Sequence, residues 1–214
     1  MSADSELSDL ELAALVSSKI CHDIISPVGA IANGIEVMDE ETDQGMREHA
    51  MDLIRKSATQ ASAKLQFARL AFGAAGSSGA EIDLNEAQKV ARAVVESDKH
   101  SFEWNGPPAT LAKDKVKLLL NMVTLAHSAL PRGGSLKISV TGEGDAPAFE
   151  IRCQGKKARI PEVLEQILAG SNDQALNAHS IQPYYALRLA KASGMSLVAK
   201  IDDPDIVFTA SSTM

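Results

Sequence analysis

Apolar and small residues recur at Leu10, Ala14, Ser17, Cys21, Ile24, Val28, Ile31, Ile35 and Met38, with gaps that alternate four and three. That rhythm keeps side chains on one stripe of an α-helix, as in the seam of a helix bundle. A second stripe with the same rhythm runs Met51, Ile54, Ala58, Ala61, Leu65, Ala68 and Phe72. Between them, the acidic run Asp39-Glu40-Glu41-Thr42-Asp43-Gln44-Gly45 reads as the turn. Two helices joined this closely form an antiparallel hairpin. Ser5 or Ser8 is placed to cap the first helix, and residues 1–6 are expected to fray. A hairpin by itself leaves apolar surface exposed. Two copies closing a four-helix bundle would cover it, with docking against the rest of the chain as the alternative.

The face opposite the first stripe carries Ser18, Lys19, His22, Ser26, Gly29 and Asn33, all polar or small. His22 points outward on this reading, beside Asp23, with Ser26 one turn on. Pro27 cannot donate to the carbonyl of Asp23, and its ring crowds that turn. The stripe continues in phase beyond it, which predicts a kink and not a stop. An imidazole that accepts a phosphoryl group needs one neutral nitrogen exposed and the other held in its protonated form. Asp23 is placed to hold it, and the Ser26 hydroxyl to hydrogen-bond phosphoryl oxygens. Lys19, one turn before, offsets their charge. Ser18 and Gly29 leave room for another protein, with Asn33 and Glu36 further along the helix surface. An ordinary solvated His-Asp pair is the plainer alternative.

The segment Gly73-Ala74-Ala75-Gly76-Ser77-Ser78-Gly79-Ala80 marks a domain boundary, dividing residues 1–75 from 81–214. Beyond it, Leu84 to Val95 reads as a helix opening at Asp83, and His100 to Trp104 as a strand. Lys113 to Leu130 is an apolar helix stopped by Pro131, followed by strands Ser135 to Thr141 and Ala148 to Cys153. Short helices are expected over Pro161 to Ala169 and Pro183 to Ser193, the latter closed by Gly194. Met195 to Ile201 and Ile206 to Ala210 read as strands about the turn Asp202-Asp203-Pro204-Asp205. This order suggests a two-layer α/β sandwich, and with the hairpin an α+β chain.

Of the 214 residues, 45% are apolar, enough for a core, and the net charge of −7 with no evident basic patch argues against nucleic-acid binding. No run of 18 apolar residues occurs, and the acidic start lacks the pattern of a signal peptide, so a cytoplasmic protein without membrane contact is expected. Cys21 and Cys153 lie far apart without metal-ligand spacing and read as ordinary thiols. His49, His100, His127 and His179 share no spacing with carboxylates or cysteines, so neither a metal site nor a bound cofactor is expected. Lys156, Lys157 and Arg159 form a basic cluster that reads as a solvated loop, or else as a contact for an acidic partner.

The stretch KICHDIISPVGAIANGIEVM resembles the phosphoacceptor helix of two-component histidine kinases. Their pattern is His-Asp/Glu, a small polar residue at +4 and Pro at +5. His22, Asp23, Ser26 and Pro27 stand at those places, with Ser26 where Thr or Asn is more usual. Over nearly its whole length the chain is similar to the ChpT family of histidine phosphotransferases, most specifically around residues 17–41. In kinases the hairpin is followed by an ATP-binding domain, and residues 81–214 look like a degenerate copy of it. The stretch Pro131-Arg132-Gly133-Gly134-Ser135-Leu136-Lys137-Ile138 anchors that alignment. Asn121 matches the first of two kinase asparagines four apart. The second, a magnesium ligand, falls at Leu125, which cannot coordinate a hard cation. Cys153 stands where kinases carry the adenine-reading Asp, and the second glycine after it is lost. The glycine-rich lid would fall at Ser180-Ile181-Gln182-Pro183-Tyr184-Tyr185, which has no glycine to let the backbone wrap a triphosphate.

What the resemblance implies is a bacterial homodimer that relays phosphoryl groups without ATP. His22 would accept the group from the receiver aspartate of a hybrid kinase and pass it to response regulators of the cell-cycle type. Mg²⁺ would reside on the receiver. His22, Asp23 and Ser26 would carry the transfer, and Ser18, Lys19, Gly29 and Asn33 would meet the partner. Two rivals are an active histidine kinase and a non-catalytic dimeric adaptor.

Overall fold

The computed structural model describes residues 7–73, 80–142, 146–169, 176–178 and 180–213. Ser5 and the expected fraying of residues 1–6, most of the boundary segment (74–79) and His179 lie outside the described residues.

Helix α1 runs Asp9–Glu40 and α2 Gln44–Ala71. Ser8 caps α1 through a reciprocal box with Glu11: each side chain bonds the other's backbone N–H. The helix passes through Pro27 without ending. The turn is shorter than the acidic run suggested. Glu40 is still helical, and Asp43 caps α2 by accepting from the Met46 N–H at 2.9 Å.

The two helices pack against each other along a line shifted from the predicted stripe of α1, of which only Ile24, Ile31 and Met38 are half-buried. Its two buried residues are Pro27 and Gly34, flanked by half-buried Val16, Ile20, Ala30 and Met38. Leu10, Val28 and Ile35 of the stripe are 84%, 50% and 49% exposed, while Ile24 and Ile31 are half-buried and lie between. The reason is the close approach of α2 at Gly34, where the Ile54 side chain packs onto α1. A Cβ on Gly34 would stand 2.6 Å from Ile54 Cγ1 and 3.3 Å from the Ala50 carbonyl oxygen. The hairpin therefore closes where α1 is smallest, and larger apolar side chains such as Leu10, Val28 and Ile35 stay exposed.

Beyond the hairpin the elements are β1 (Glu81–Asp83), α3 (Leu84–Val95), β2 (His100–Asn105), β3 (Thr110–Ala112) and α4 (Lys113–Ser128). There follow β4 (Gly134–Thr141), β5 (Ala148–Gln154), α5 (Glu162–Leu168), α6 (Ile181–Ala192), β6 (Met195–Asp202) and β7 (Asp205–Ser212). Five strands make one sheet in the order β2-β4-β5-β7-β6. Only β2 and β4 pair in parallel, with α4 in the crossover between them. Phe102, Leu136, Ile138, Ile151, Phe208 and Leu197 alternate onto one face, where α3, α4 and α6 cover them. The other face carries Glu150 and Arg152. The two-layer sandwich follows the expected pattern. The added feature is a two-stranded sheet of β1 and β3, too short at three residues each to show a period of two.

The open end of the hairpin is built into this second layer. Phe67, Leu70 and Ala71 of α2 belong to the same buried cluster as the sheet residues. Near the start of α1, the Leu7 N–H donates to the Tyr184 hydroxyl and Asp9 lies 3.5 Å from Arg188.

Replacing Gly34 with alanine raises intrinsic helix propensity, yet it should destabilise the protein by about 1–3 kcal/mol through overpacking. Urea denaturation of Gly34→Ala beside wild type measures this. A midpoint at or above wild type would show that the helices can part at no cost.

Candidate functional site

His22 sits on the outward side of α1 with its side chain 59% exposed. Its Nδ1 is 3.8 Å from Asp23 Oδ1, within ion-pair range but too long for a direct hydrogen bond. The other carboxylate oxygen, Oδ2, accepts from Lys19 Nζ at 2.6 Å. Lys19 is itself only 16% exposed, so its ammonium is turned along the helix toward Asp23. Ser18, Ser26, Gly29 and Asn33 are all exposed on α1. A Cβ on Gly29 would meet nothing within 4 Å, so no neighbour within the chain requires the glycine.

Sequence reasoning missed one contributor. Pro27 lacks the N–H that would bond the Asp23 carbonyl. Lys64 Nζ, from α2, donates to that carbonyl at 2.8 Å. The proline signalled an orphan acceptor, but only the folded hairpin brings together residues 41 positions apart.

The positions aligned with the nucleotide site are filled from within. Asn121 is fully buried. Its Nδ2 donates to the Lys117 carbonyl at 2.8 Å and to the Ala71 carbonyl at 3.2 Å. Its Oδ1 accepts from Gln182 Nε2. Leu125 and Cys153 are buried, and the Cys153 thiol donates to the Ala126 carbonyl at 3.6 Å. Burial, with the nearby Asp205 carboxylate, pushes that thiol up to about 12. Where a flexible lid would begin, Ile181 opens α6, and Gln182 and Pro183 are buried in its first turn. Lys156, Lys157 and Arg159 are exposed.

Among the described residues, no group of three His, Cys, Asp or Glu side chains is arranged to hold a metal ion. His100 and His127 meet edge to face with centroids 4.4 Å apart. Burial and the His100 ring hold His127 below its ordinary range. Among the described residues, no helix is long and apolar enough to cross a membrane.

Residues 84–205 match the family described as the histidine phosphotransferase C-terminal domain. The protein phosphotransferase ChpT of Brucella abortus (strain 2308) is 48% identical over 211 residues, 98% of this chain and 100% of that protein. The chain belongs to the ChpT family of histidine phosphotransferases. A bacterial phosphotransferase whose structure is known at 1.7 Å superimposes with a TM-score of 0.90 at 46% identity, covering 98% of this chain and 100% of that one. For a histidine phosphotransferase, the contrast between the two regions is informative: the His22 face is open, and the Asn121 region is closed by its own side chains.

Asn121 therefore has a structural task. Asn121→Ala leaves the Ala71 carbonyl and Gln182 amide without their partner and should cost about 1–3 kcal/mol by chemical denaturation. Unchanged stability would mean that the network holds nothing together. The two thiols offer a second check. At pH 8 a thiol reagent should modify Cys21 alone in the native protein, and both cysteines only after unfolding, as read by mass spectrometry. Rapid native modification of Cys153 would contradict its burial.

Proposed function

We propose that this protein is a relay in a multistep phosphotransfer pathway and that His22 is its phosphoryl acceptor. The carrying observation is the exposed His22 ring with Nδ1 directed at Asp23. A proton kept on Nδ1 leaves Nε2 with its lone pair, which is the nucleophile the reaction requires.

The donor is the phospho-aspartate of a receiver domain. Nε2 of His22 attacks phosphorus, the N–P bond forms and the acyl P–O bond breaks. The electron pair leaves with the receiver's carboxylate. Asp23 balances the positive charge that the ring gains. The reverse sequence delivers the group to a response regulator, with the receiver supplying Mg²⁺ in both directions. Ser26, one turn on, is placed for the phosphoryl oxygens. Ser18, Lys19, Gly29 and Asn33 belong to the docking face, where small residues let a partner approach. Positioning and charge compensation carry most of such a transfer.

ATP is not the donor on this reading. It is supported by the internal commitments of Asn121 and Gln182, the burial of Leu125 and Cys153, and the helical start of α6. The exposed apolar side chains of the hairpin, Val28 and Ile35 on α1 and Leu65 on α2, favour a homodimer closed as a four-helix bundle. The protein acts in the cytoplasm, and its regulators are of the bacterial cell-cycle type that the family resemblance implies.

Radiolabelled phospho-receiver and labelled ATP, offered separately, test the reaction. Acid-labile label should come from the receiver alone and vanish in His22→Ala. Label from ATP would establish a kinase, and none from any of several receivers an adaptor. Light scattering tests the assembly: wild type should weigh twice the chain, and Ile35→Glu with Leu65→Glu should weigh one. A wild-type monomer at micromolar concentration would refute the bundle.

A further inference from the structure

Two lysines from different helices converge on Asp23, the neighbour of His22. Lys19, in the same helix, takes the carboxylate at 2.6 Å. Lys64, from the facing helix, takes the backbone carbonyl at 2.8 Å. That carbonyl is the one acceptor in the helix that Pro27 deprives of its i+4 donor. The surroundings offer little substitute. Lys64 and Asp23 border a cavity of about 70 Å³ lined mostly by apolar side chains, among them Ile20, Ile24 and Phe67. A carbonyl left without a donor there would pull its turn toward water, and the turn in question carries His22, Asp23 and Ser26.

We propose that Lys64 is a positioning residue for phosphotransfer, its ammonium standing in for the N–H that Pro27 lacks. It completes the hydrogen-bond ladder from outside the helix. It thereby fixes the turn from Asp23 to Pro27, and with it the direction of the Asp23 carboxylate relative to the His22 ring. The proline and the lysine form one device. Pro27 frees an acceptor beneath the reactive face, and α2 supplies a charged donor that pins that face to the hairpin. This inference rests on the reading of His22 as phosphoacceptor.

The test is a cycle of variants in the full-length protein, with single-turnover transfer from a saturating labelled phospho-receiver. Lys64→Met should slow transfer at least tenfold while receiver affinity and oligomeric mass stay at wild-type values. Lys64→Arg, which keeps a donor of similar reach, should recover to within threefold. Pro27→Ala restores a backbone N–H to the Asp23 carbonyl. In that background, Lys64→Met should change the rate less than twofold. The ¹⁵N shifts of the His22 ring should move in Lys64→Met and move far less when Pro27→Ala is also present. Lys64→Gln, neutral and too short to reach, carries the same comparison if Lys64→Met loses its fold.

Wild-type rates in Lys64→Met would overturn the proposal. So would equal slowing in both backgrounds, because Lys64 would then act through its charge alone. A wild-type protein that takes no label from any receiver refutes the His22 reading itself. The ring shifts then still report whether the Pro27–Lys64 device orients the imidazole.

Discussion

The rest of the structure depends on how closely α1 and α2 approach one another. They meet at Pro27 and Gly34, the two buried positions of α1, and at Gly34 the missing side chain makes room for Ile54 of α2. That approach fixes the rotation of α1 about its own axis. It turns His22 outward, brings Lys64 under Asp23, and leaves Val28 and Ile35 exposed. The alternative, burying the bulkier stripe within the hairpin, would hold the backbones further apart and lose the lysine's contact. Apolar side chains are thus left exposed because the chain packs its smallest residues against itself.

The second constraint is the satisfaction of buried polar groups. Asn121 and Gln182 lie deep in the protein, where an unpaired amide is costly. They pair with each other, and Asn121 also takes the carbonyls of Lys117 and Ala71. The last of these belongs to the end of α2, so the network joins the hairpin to the α/β layer. A polar position that resembles part of a nucleotide site holds two structural units together here. Rigid attachment of this kind suits the relay proposed above, in which one histidine meets successive partners.

Much of this was legible in the chain beforehand. The hairpin, the second layer and nearly every helix and strand follow from period, capping and breaker residues, as Asp83 at the start of α3 and Gly194 after α6 illustrate. The candidate site was legible as a local cluster because His22, Asp23 and Ser26 lie within two turns of one helix. Other features were hidden for identifiable reasons. β1 and β3 gain their identity only from pairing with each other. The buried stripe of α1 was misjudged because hydrophobicity marks Leu10 and Val28, whereas close packing selected Pro27 and Gly34. Lys64 carries no local signal that sets it apart from the other polar residues of α2.

The sequence by itself determined the elements, the fold class and the candidate histidine, since these rest on local periodicity and on residues adjacent along the chain. Only the tertiary structure decided which face of α1 is covered, which amides close the Asn121 region, and which cation completes the turn beneath His22. Those are contacts between residues 41, 50 and 61 positions apart. Such contacts depend on how far two backbones can approach, a property of both partners that neither segment encodes alone.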